Sequence, residues 1–257
     1  WSYYSNKLMQ EKYALDDEML KPYFKLENVQ KGVFDLATRL YGITFKEVNN
    51  IPLYHPEVKT YEVYDNDGSF LAVLYTDFFP RESKGGGAWM TQFRGQKMVN
   101  GKDQRPLVSL VMNFTKPTDT KPSLLTFNEV TTFLHEFGHA LHGMFSKCTY
   151  GSTSMDGVSR DFVELPSQFM ENFALEKEWL DTWAVHYQTG EKIPQEYIDK
   201  IKKSSNFQAG YASDRQLSFG MVDMAWHTIT EPVTEPLVNF EQRAMGKTEI
   251  MPLVKGS

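Results

Sequence analysis

Residues 129–141 read EVTTFLHEFGHAL and form the clearest helical pattern in the chain. Apolar residues recur through this stretch and just beyond it at the spacing of a buried helix; they are Val130, Phe133, Leu134, Phe137, Ala140, Leu141 and Met144. Gly138 lies inside the pattern, although a glycine costs a helix interior roughly 1 kcal/mol relative to alanine. The sequence therefore predicts a buried helix and a second segment that packs closely against it at Gly138.

His135 and His139 are four residues apart on this predicted helix. Residues at this spacing lie one above the other, so the two imidazoles project from one face toward a single point. They provide two ligands of a tetrahedral zinc site. Glu136 is the next residue and is placed to act on a water at the metal without binding the metal itself, as the base of a metallopeptidase does.

A catalytic zinc site requires a third protein ligand and an open position for water. Some longer versions of this motif have another histidine six residues beyond the second one, but Phe145 occupies that position here. The best candidate is Glu164, in the stretch SRDFVELPSQ at residues 159–168, where a second helix is predicted to start. The alternative is that Glu164 forms a capping box with Asp161, three residues earlier.

Two other acidic residues could orient a ligand from outside the ligand set. Glu171 is seven residues beyond Glu164, two turns along the same helix face, and could hold the free ring nitrogen of a ligand histidine. Asp161 is the competing candidate for this role, and a solvated helix face is the other interpretation of Glu171.

The sequence also resembles a known family. The stretches FNEVTTFLHEFGHALHGMF and RDFVELPSQFMENFALE, with the spacing between them, are similar to the thimet oligopeptidase and bacterial peptidyl-dipeptidase family of zinc peptidases. Similarity extends through nearly the whole chain, and the sequence GGAWM at residues 86–90 favours the peptidyl-dipeptidase branch. The resemblance implies an α+β, mainly α, zincin-like catalytic lobe, with a small antiparallel-rich sheet packed on helices.

The resemblance also implies a set of roles. One Zn²⁺ per chain is expected on His135, His139 and Glu164, with Glu136 activating the water. The expected substrates are short peptides, shortened by dipeptides from the carboxyl end. Two other functions stay open, namely an oligopeptidase that cuts internally and a zinc-binding but inactive module.

The chain begins at Trp1 without an initiator methionine and ends at Ser257, so we expect a fragment. Family members continue into a segment rich in Gly and Tyr, with a His and a Tyr that assist substrate binding and the transition state. The resemblance therefore leads us to expect a chain that holds zinc but hydrolyses peptides weakly, since one oxyanion donor is worth roughly 10²–10³ in rate.

Composition excludes several classes of partner. A net charge of −6 and a pI near 5.6 argue against a nucleic-acid surface, and no apolar run is long enough to span a membrane. Cys148 is the single cysteine and cannot form an intramolecular disulfide, which suits a reducing compartment such as the cytoplasm. We interpret it as a small buried residue and not as a zinc ligand.

The pattern divides the 257 residues, as one catalytic domain, into a helical part (1–59), a sheet (60–116) and a second helical part with the zinc site (124–250). Later helices are predicted over 194–204, 206–229 and 237–245, and a hairpin is predicted around Asp67 and Gly68. Residues 108–113 are a candidate edge strand that pairs with a substrate backbone, or an ordinary sheet strand. The glycines at 85–87 predict a mobile turn or a close backbone approach to a ligand.

Overall fold

The structure is a computed structural model and describes residues 2–248. The last two residues of the predicted helical part 124–250 therefore lie outside the described residues. The chain forms two compact units, one made of residues 14–200 and the other of residues 2–13 and 201–248. All the candidate metal ligands belong to the larger unit. That residues 1–257 form one catalytic domain stays a prediction.

A sheet of five strands lies in the larger unit, in the order β1-β2-β3-β7-β4. Its strands are β1 (Thr44–Val48), β2 (Lys59–Tyr64), β3 (Phe70–Asp77), β4 (Trp89–Arg94) and β7 (Leu107–Val111). The pairs β1/β2, β2/β3 and β4/β7 are antiparallel, whereas β3/β7 is parallel. A separate hairpin is formed by β5 (Lys97–Val99) and β6 (Lys102–Gln104). The predicted antiparallel-rich sheet and the hairpin at Asp67 and Gly68 are confirmed.

Strand β1 corrects the prediction that residues 1–59 are helical. The preceding helix ends at Tyr41, and Gly42 then takes the left-handed conformation with φ 76°. Residues 44–48 continue as a strand because each of them pairs with a residue of β2. A strand this short gains its stability from a distant partner, so its local apolar pattern carries little signal.

Strand β7 corrects the prediction of an edge strand at residues 108–113. It lies between β3 and β4 and forms hydrogen bonds with both. Val108 and Leu110 are completely buried. A strand that is paired on both sides has no free backbone groups for a peptide, so the proposed substrate pairing at these residues is wrong. The strands at the two edges of the sheet are β1 and β4.

The helices of the larger unit are α2 (Asp17–Leu20), α3 (Leu26–Tyr41), α4 (Phe127–Phe145), α5 (Arg160–Val163), α6 (Leu165–Glu171) and α7 (Lys177–Leu180), and α8 (Gln195–Ser204) begins in it. Helix α4 starts with a capping box, in which the Thr126 hydroxyl accepts from the Glu129 N–H at 3.1 Å and Glu129 accepts from the Thr126 N–H at 2.7 Å. Its apolar face packs on the sheet, where the rings of Phe133 and Phe78 are 5.2 Å apart. The α+β architecture thus places α4 against the sheet.

The smaller unit contains α1 (Ser2–Tyr13), α9 (Ala209–Thr228) and α10 (Leu237–Met245). Within it, the ring of Trp226 lies 4.3 Å from that of Phe240 and joins α9 to α10. The predicted helices over 194–204, 206–229 and 237–245 are confirmed by α8, α9 and α10. Among residues 2–248, no helix combines the length and the apolar character that crossing a bilayer requires.

Candidate metal centre

Close packing of α4 and α6 at Gly138 builds the site. A Cβ atom on Gly138 would lie 2.4 Å from the carbonyl oxygen of Pro166 and 2.6 Å from the Cα of Ser167. Real Cβ atoms do not approach backbone this closely, so only glycine allows the two helices to touch here. The prediction that another segment packs closely at Gly138 is confirmed. Because Glu164 precedes Pro166 by two residues, this contact also sets its distance from α4.

His135, His139 and Glu164 converge in this arrangement. Glu164 Oε2 lies 3.3 Å from His135 Nε2 and 3.1 Å from His139 Nε2. One ligand atom from each residue can be chosen so that all three lie within 4.8 Å of one another. Two imidazole nitrogens and one carboxylate oxygen form a donor set that catalytic zinc sites use, and the residues present therefore fit a zinc ion.

Glu164 is held by a hydrogen bond from Ser167 and is not part of a capping box. Helix α5 has Ser159 as its N-cap and receives no side-chain cap hydrogen bond. Instead, the Ser167 hydroxyl donates to Glu164 Oε2 at 2.8 Å. This hydrogen bond, followed by the nearby His139 and His135, holds the pKa of Glu164 below its usual value. The carboxylate therefore stays ionised, as a metal ligand must be.

Glu171 contacts a ligand histidine directly. Its Oε1 lies 2.6 Å from His135 Nδ1, on the side of the ring opposite Nε2. A hydrogen bond at Nδ1 makes Nε2 the nitrogen that is free to bind a metal. Asp161 is exposed in α5, and among residues 2–248 it makes no hydrogen bond to either histidine. The geometry thus favours Glu171 over Asp161 for this role.

His139 lacks the support that His135 has. It is buried, and its Nδ1 has no hydrogen-bond partner among the described residues. Burial is the main cause that lowers the pKa of His139 and keeps the imidazole neutral. A neutral imidazole is the form that binds a metal.

Glu136 points from α4 toward strand β4. Only 8% of Glu136 is exposed, and burial raises the pKa of its carboxyl group, although a hydrogen bond from the Met90 backbone opposes the shift. A carboxylate with a raised pKa is a stronger base, which suits proton transfer from water. Sequence reasoning missed Met90 and Ser167. The GGAWM stretch contains Met90, but no sequence pattern indicated that its backbone meets Glu136.

The glycine turn before β4 is tied to the sheet. Asn113 Nδ2 donates to the carbonyl oxygens of Gly85 and Gly87 at 2.8 and 2.7 Å. Lys84 is almost completely buried, and its ammonium group donates to Asp77 Oδ1 at 3.0 Å and to the Phe79 carbonyl at 2.8 Å. These bonds fix the chain where it enters the edge strand. A free turn, one of the two sequence interpretations, does not describe this segment.

Cys148 lies outside the cluster. It is half-buried, and its Sγ donates to the carbonyl oxygen of Thr153 at 3.2 Å. The prediction that it is not a zinc ligand agrees with this position, although the residue is less buried than expected.

Known proteins are similar to this chain over nearly its whole length. The model of peptidase family M3 matches residues 1–256. Dipeptidyl carboxypeptidase of Salmonella typhimurium is 44% identical over 247 residues, which cover 95% of this chain and 36% of that protein. Oligopeptidase A of Escherichia coli is 42% identical over 233 residues, covering 90% of this chain and 34% of that protein. An organellar oligopeptidase A of Arabidopsis thaliana is 39% identical over 259 residues, which cover 98% of this chain and 33% of that protein. The chain therefore spans about one third of the length of these relatives.

Proposed function

Because this chain belongs to peptidase family M3, we propose that it is a zinc-dependent hydrolase of short peptides that releases dipeptides from the carboxyl end. The observation that carries the proposal is that one ligand atom each of His135, His139 and Glu164 lie within 4.8 Å of one another, and that the buried Glu136 directly follows His135. The name of the similar Salmonella protein, dipeptidyl carboxypeptidase, supports the mode of cleavage. A zincin-like fold for the catalytic lobe is part of the same proposal.

His135, His139 and Glu164 would hold the zinc ion in this mechanism. Bound there, zinc supplies Lewis-acid polarisation of a carbonyl oxygen and lowers the pKa of a water molecule. Glu136 accepts a proton from the attacking water at its carboxylate and passes it to the nitrogen of the departing amine. Glu171 holds the His135 ring by Nδ1, and Ser167 holds the Glu164 carboxylate, so both ligands are oriented before substrate arrives.

Of the two edge strands, β4 is the one that lies against α4 and can hold the peptide backbone near the metal ligands. Among residues 2–248 it is paired only with β7, and its Met90 backbone is close enough to Glu136 to oppose the rise in the pKa of that carboxyl group. An extended peptide can add to such an edge as a further strand through main-chain hydrogen bonds. We therefore transfer the substrate-pairing role from residues 108–113 to β4.

An oligopeptidase that cuts internally is the second candidate function. The similarity to oligopeptidase A at 42% identity favours it, because the same zinc site would serve either mode of cleavage. An inactive zinc-binding module is less well supported. A structural site would fill the fourth position with a protein ligand, whereas the cluster found among residues 2–248 has three members and a buried glutamate beside it.

Mass spectrometry of a ten-residue unstructured peptide, incubated with the zinc-loaded chain, tests the proposal. Sequential loss of carboxyl-terminal dipeptides is the expected result. A single internal cut would favour the oligopeptidase instead. No cleavage by a chain that contains one zinc ion would contradict both and leave the inactive module. The Glu136→Gln variant, loaded in the same way, is the control for a contaminating peptidase.

Peptides are the partners that this proposal requires.

We propose the cytoplasm as the compartment. The support is that Cys148 is the single cysteine of this sequence, so it cannot form an intramolecular disulfide here, which suits a reducing compartment. Fractionation of cells that express the protein at its natural level checks this, and recovery of the protein outside the cytoplasm would contradict it.

A further inference from the structure

A cavity of about 340 Å³ lies where the edge strand β4 ends. Its walls come from the last residues of β4, the turn into β5 and the segment 151–156; the side chains that matter are Phe93, Arg94, Lys97, Gln104, Ser154 and Asp156. A cavity of this volume falls at the lower end of the range of ligand pockets. Phe93 and Arg94 end the strand that is proposed to pair with the peptide, and the other residues of the cavity have no part in the mechanism proposed above.

Strand β4 has a β-bulge at the end that lines this cavity. In the pairing of β4 with β7, Gln92 faces Val108 and Arg94 faces Leu107, so Phe93 is an extra residue without a partner. Bulges occur preferentially next to active sites, where they redirect a side chain. Phe93 is 54% exposed, an unusual position for a phenylalanine at the end of a sheet strand.

The charge of the cavity is positive, in contrast to the chain as a whole, which carries −6. Arg94 and Lys97 are both exposed, and neither has a carboxylate within 4.0 Å in the part of the chain that the structure describes. Arg94 donates Nε and Nη2 to the carbonyl oxygen of Arg105, which orients its guanidinium but leaves its charge uncompensated. Asp156 also lines the cavity, where it accepts from Gln92 Nε2 at 2.8 Å. Two cations and one anion leave a net positive lining.

The strand geometry relates the cavity to the reaction site. The Met90 backbone lies beside Glu136, and Phe93 and Arg94 follow it by three and four residues. At a rise of about 3.3 Å per residue, the cavity is roughly 10–13 Å from the residue beside Glu136. A peptide that adds to β4 in the antiparallel direction, the more frequent arrangement of paired strands, runs toward the cavity with its amino-terminal part.

We propose that this cavity is a substrate subsite for an acidic side chain, located three or four residues before the residue whose carbonyl is attacked. The proposal rests on the proposed function, because it uses the position of Glu136 and a peptide paired with β4. It adds a substrate class, peptides with Asp or Glu at that distance from the cleaved bond, and it names Arg94 and Lys97 as the residues that select them.

Peptide affinity tests this subsite without depending on turnover. The zinc-loaded Glu136→Gln variant is titrated with two ten-residue peptides that have either Glu or Lys at the sixth and seventh positions from the carboxyl end. For release of a dipeptide, these positions are three and four residues before the attacked carbonyl. The expected result is an affinity about fivefold higher for the Glu peptide, as partly exposed ion pairs give. The difference should decrease as salt concentration rises.

Two charge reversals assign the effect to the cavity. Lys97→Glu should abolish or invert the preference for the Glu peptide. Lys102→Glu is the matched control, because Lys102 is an exposed lysine on the same β5–β6 hairpin but does not line the cavity. It should keep the preference.

Equal affinity for the two peptides, no measurable binding of either, or the same loss in Lys102→Glu would overturn the subsite. Failure of the proposed function is a separate result, since it is seen as absence of cleavage by the zinc-loaded natural sequence.

Discussion

Glu136 and the histidine beside it show how two neighbouring residues on one helix take different roles. His135 Nε2 is directed to Glu164 Oε2 at 3.3 Å, whereas the Glu136 side chain is buried toward the Met90 backbone. The separation follows from the turn of about 100° between successive helix residues, which places only every third or fourth side chain on one face. A ligand and a base therefore fit on adjacent positions.

Replacement of Glu136 by Gln should preserve metal binding and remove cleavage. The amide has nearly the shape of the carboxyl group but cannot accept the proton from water, so the rate should fall by at least about 10²–10⁴-fold. Zinc content measured by atomic absorption, together with peptide hydrolysis, checks this. Loss of zinc along with activity would instead show that Glu136 is a structural residue.

Glu171→Gln tests the support of His135. The hydrogen bond at His135 Nδ1 loses its charge, and metal affinity should fall about 10–100-fold. Competition with a chromogenic chelator measures this affinity. Asp161→Asn is the matched control, because it removes a nearby carboxylate that does not contact either histidine. An equal effect of the two substitutions would argue that only general electrostatics matter.

Gly138→Ala tests the contact between α4 and α6. Alanine improves helix propensity by roughly 1 kcal/mol, but its Cβ would meet the backbone of Pro166 at 2.4 Å. Because backbone cannot move aside cheaply, we expect a net loss of about 1–3 kcal/mol in the free energy of unfolding and weaker metal binding. Urea denaturation and chelator competition measure the two effects.

Gly143→Ala is the control on the same helix. There the new Cβ meets the Gln92 side chain at 3.3 Å, and a side chain can adjust. If Gly143→Ala weakens metal binding as much as Gly138→Ala does, the close approach of α6 is not what positions Glu164.

At the scale of elements, α4 depends on its first turn as well as on its buried face. The capping box of Thr126 and Glu129 satisfies backbone donors that a helix start leaves unpaired. Thr126→Ala should lower the free energy of unfolding by about 1 kcal/mol, measured by urea denaturation. Ser159→Ala at the start of α5 should change it much less, since Ser159 makes no side-chain cap hydrogen bond. Equal losses would show that the capping box contributes nothing specific.

The edge of the sheet is the other element on which function depends. Asn113 and Lys84 fix the glycine turn, so β4 enters the sheet next to α4 with its outer side unpaired by another strand. The β4 side chains do not reveal this position, because an edge strand and an interior strand can have the same composition. The difference lies in which strands come to lie on each side.

For the whole molecule, the metal should link stability to activity. His135 and His139 belong to one helix and Glu164 to another segment, so a bound ion would join two elements and would be released when either of them unfolds. Removal of zinc with a chelator should abolish cleavage and lower the thermal midpoint of the unit that contains residues 14–200. Zinc at 100 times its Kd contributes about 2.7 kcal/mol.

Calorimetry of the metal-free and zinc-loaded chain measures this difference, and readdition of zinc should restore both properties. The His135→Ala, His139→Ala double variant is the control, since zinc should not shift its midpoint. An unchanged midpoint of the natural sequence would mean that zinc does not bind to the folded site.

Several features of this protein are determined by the sequence alone. The spacing of His135, Glu136 and His139 acts within one helix, where the geometry is known before any tertiary contact forms. The helix limits near 194–204 and 237–245 and the hairpin at Gly68 follow from local periodicity and turn residues in the same way. The cost of Gly138 in a helix even predicted a close contact at that position.

Tertiary structure decided which distant residues meet. Glu171 rather than Asp161 reaches His135, β4 rather than β7 lies at the sheet edge, and residues 44–48 form a strand. Each of these outcomes depends on segments that are far apart along the chain. Their pairing energies come from burial and backbone hydrogen bonds between elements, which a local pattern does not contain. The reactive groups are therefore encoded locally, whereas their orientation and the surface offered to a peptide arise only when the elements pack.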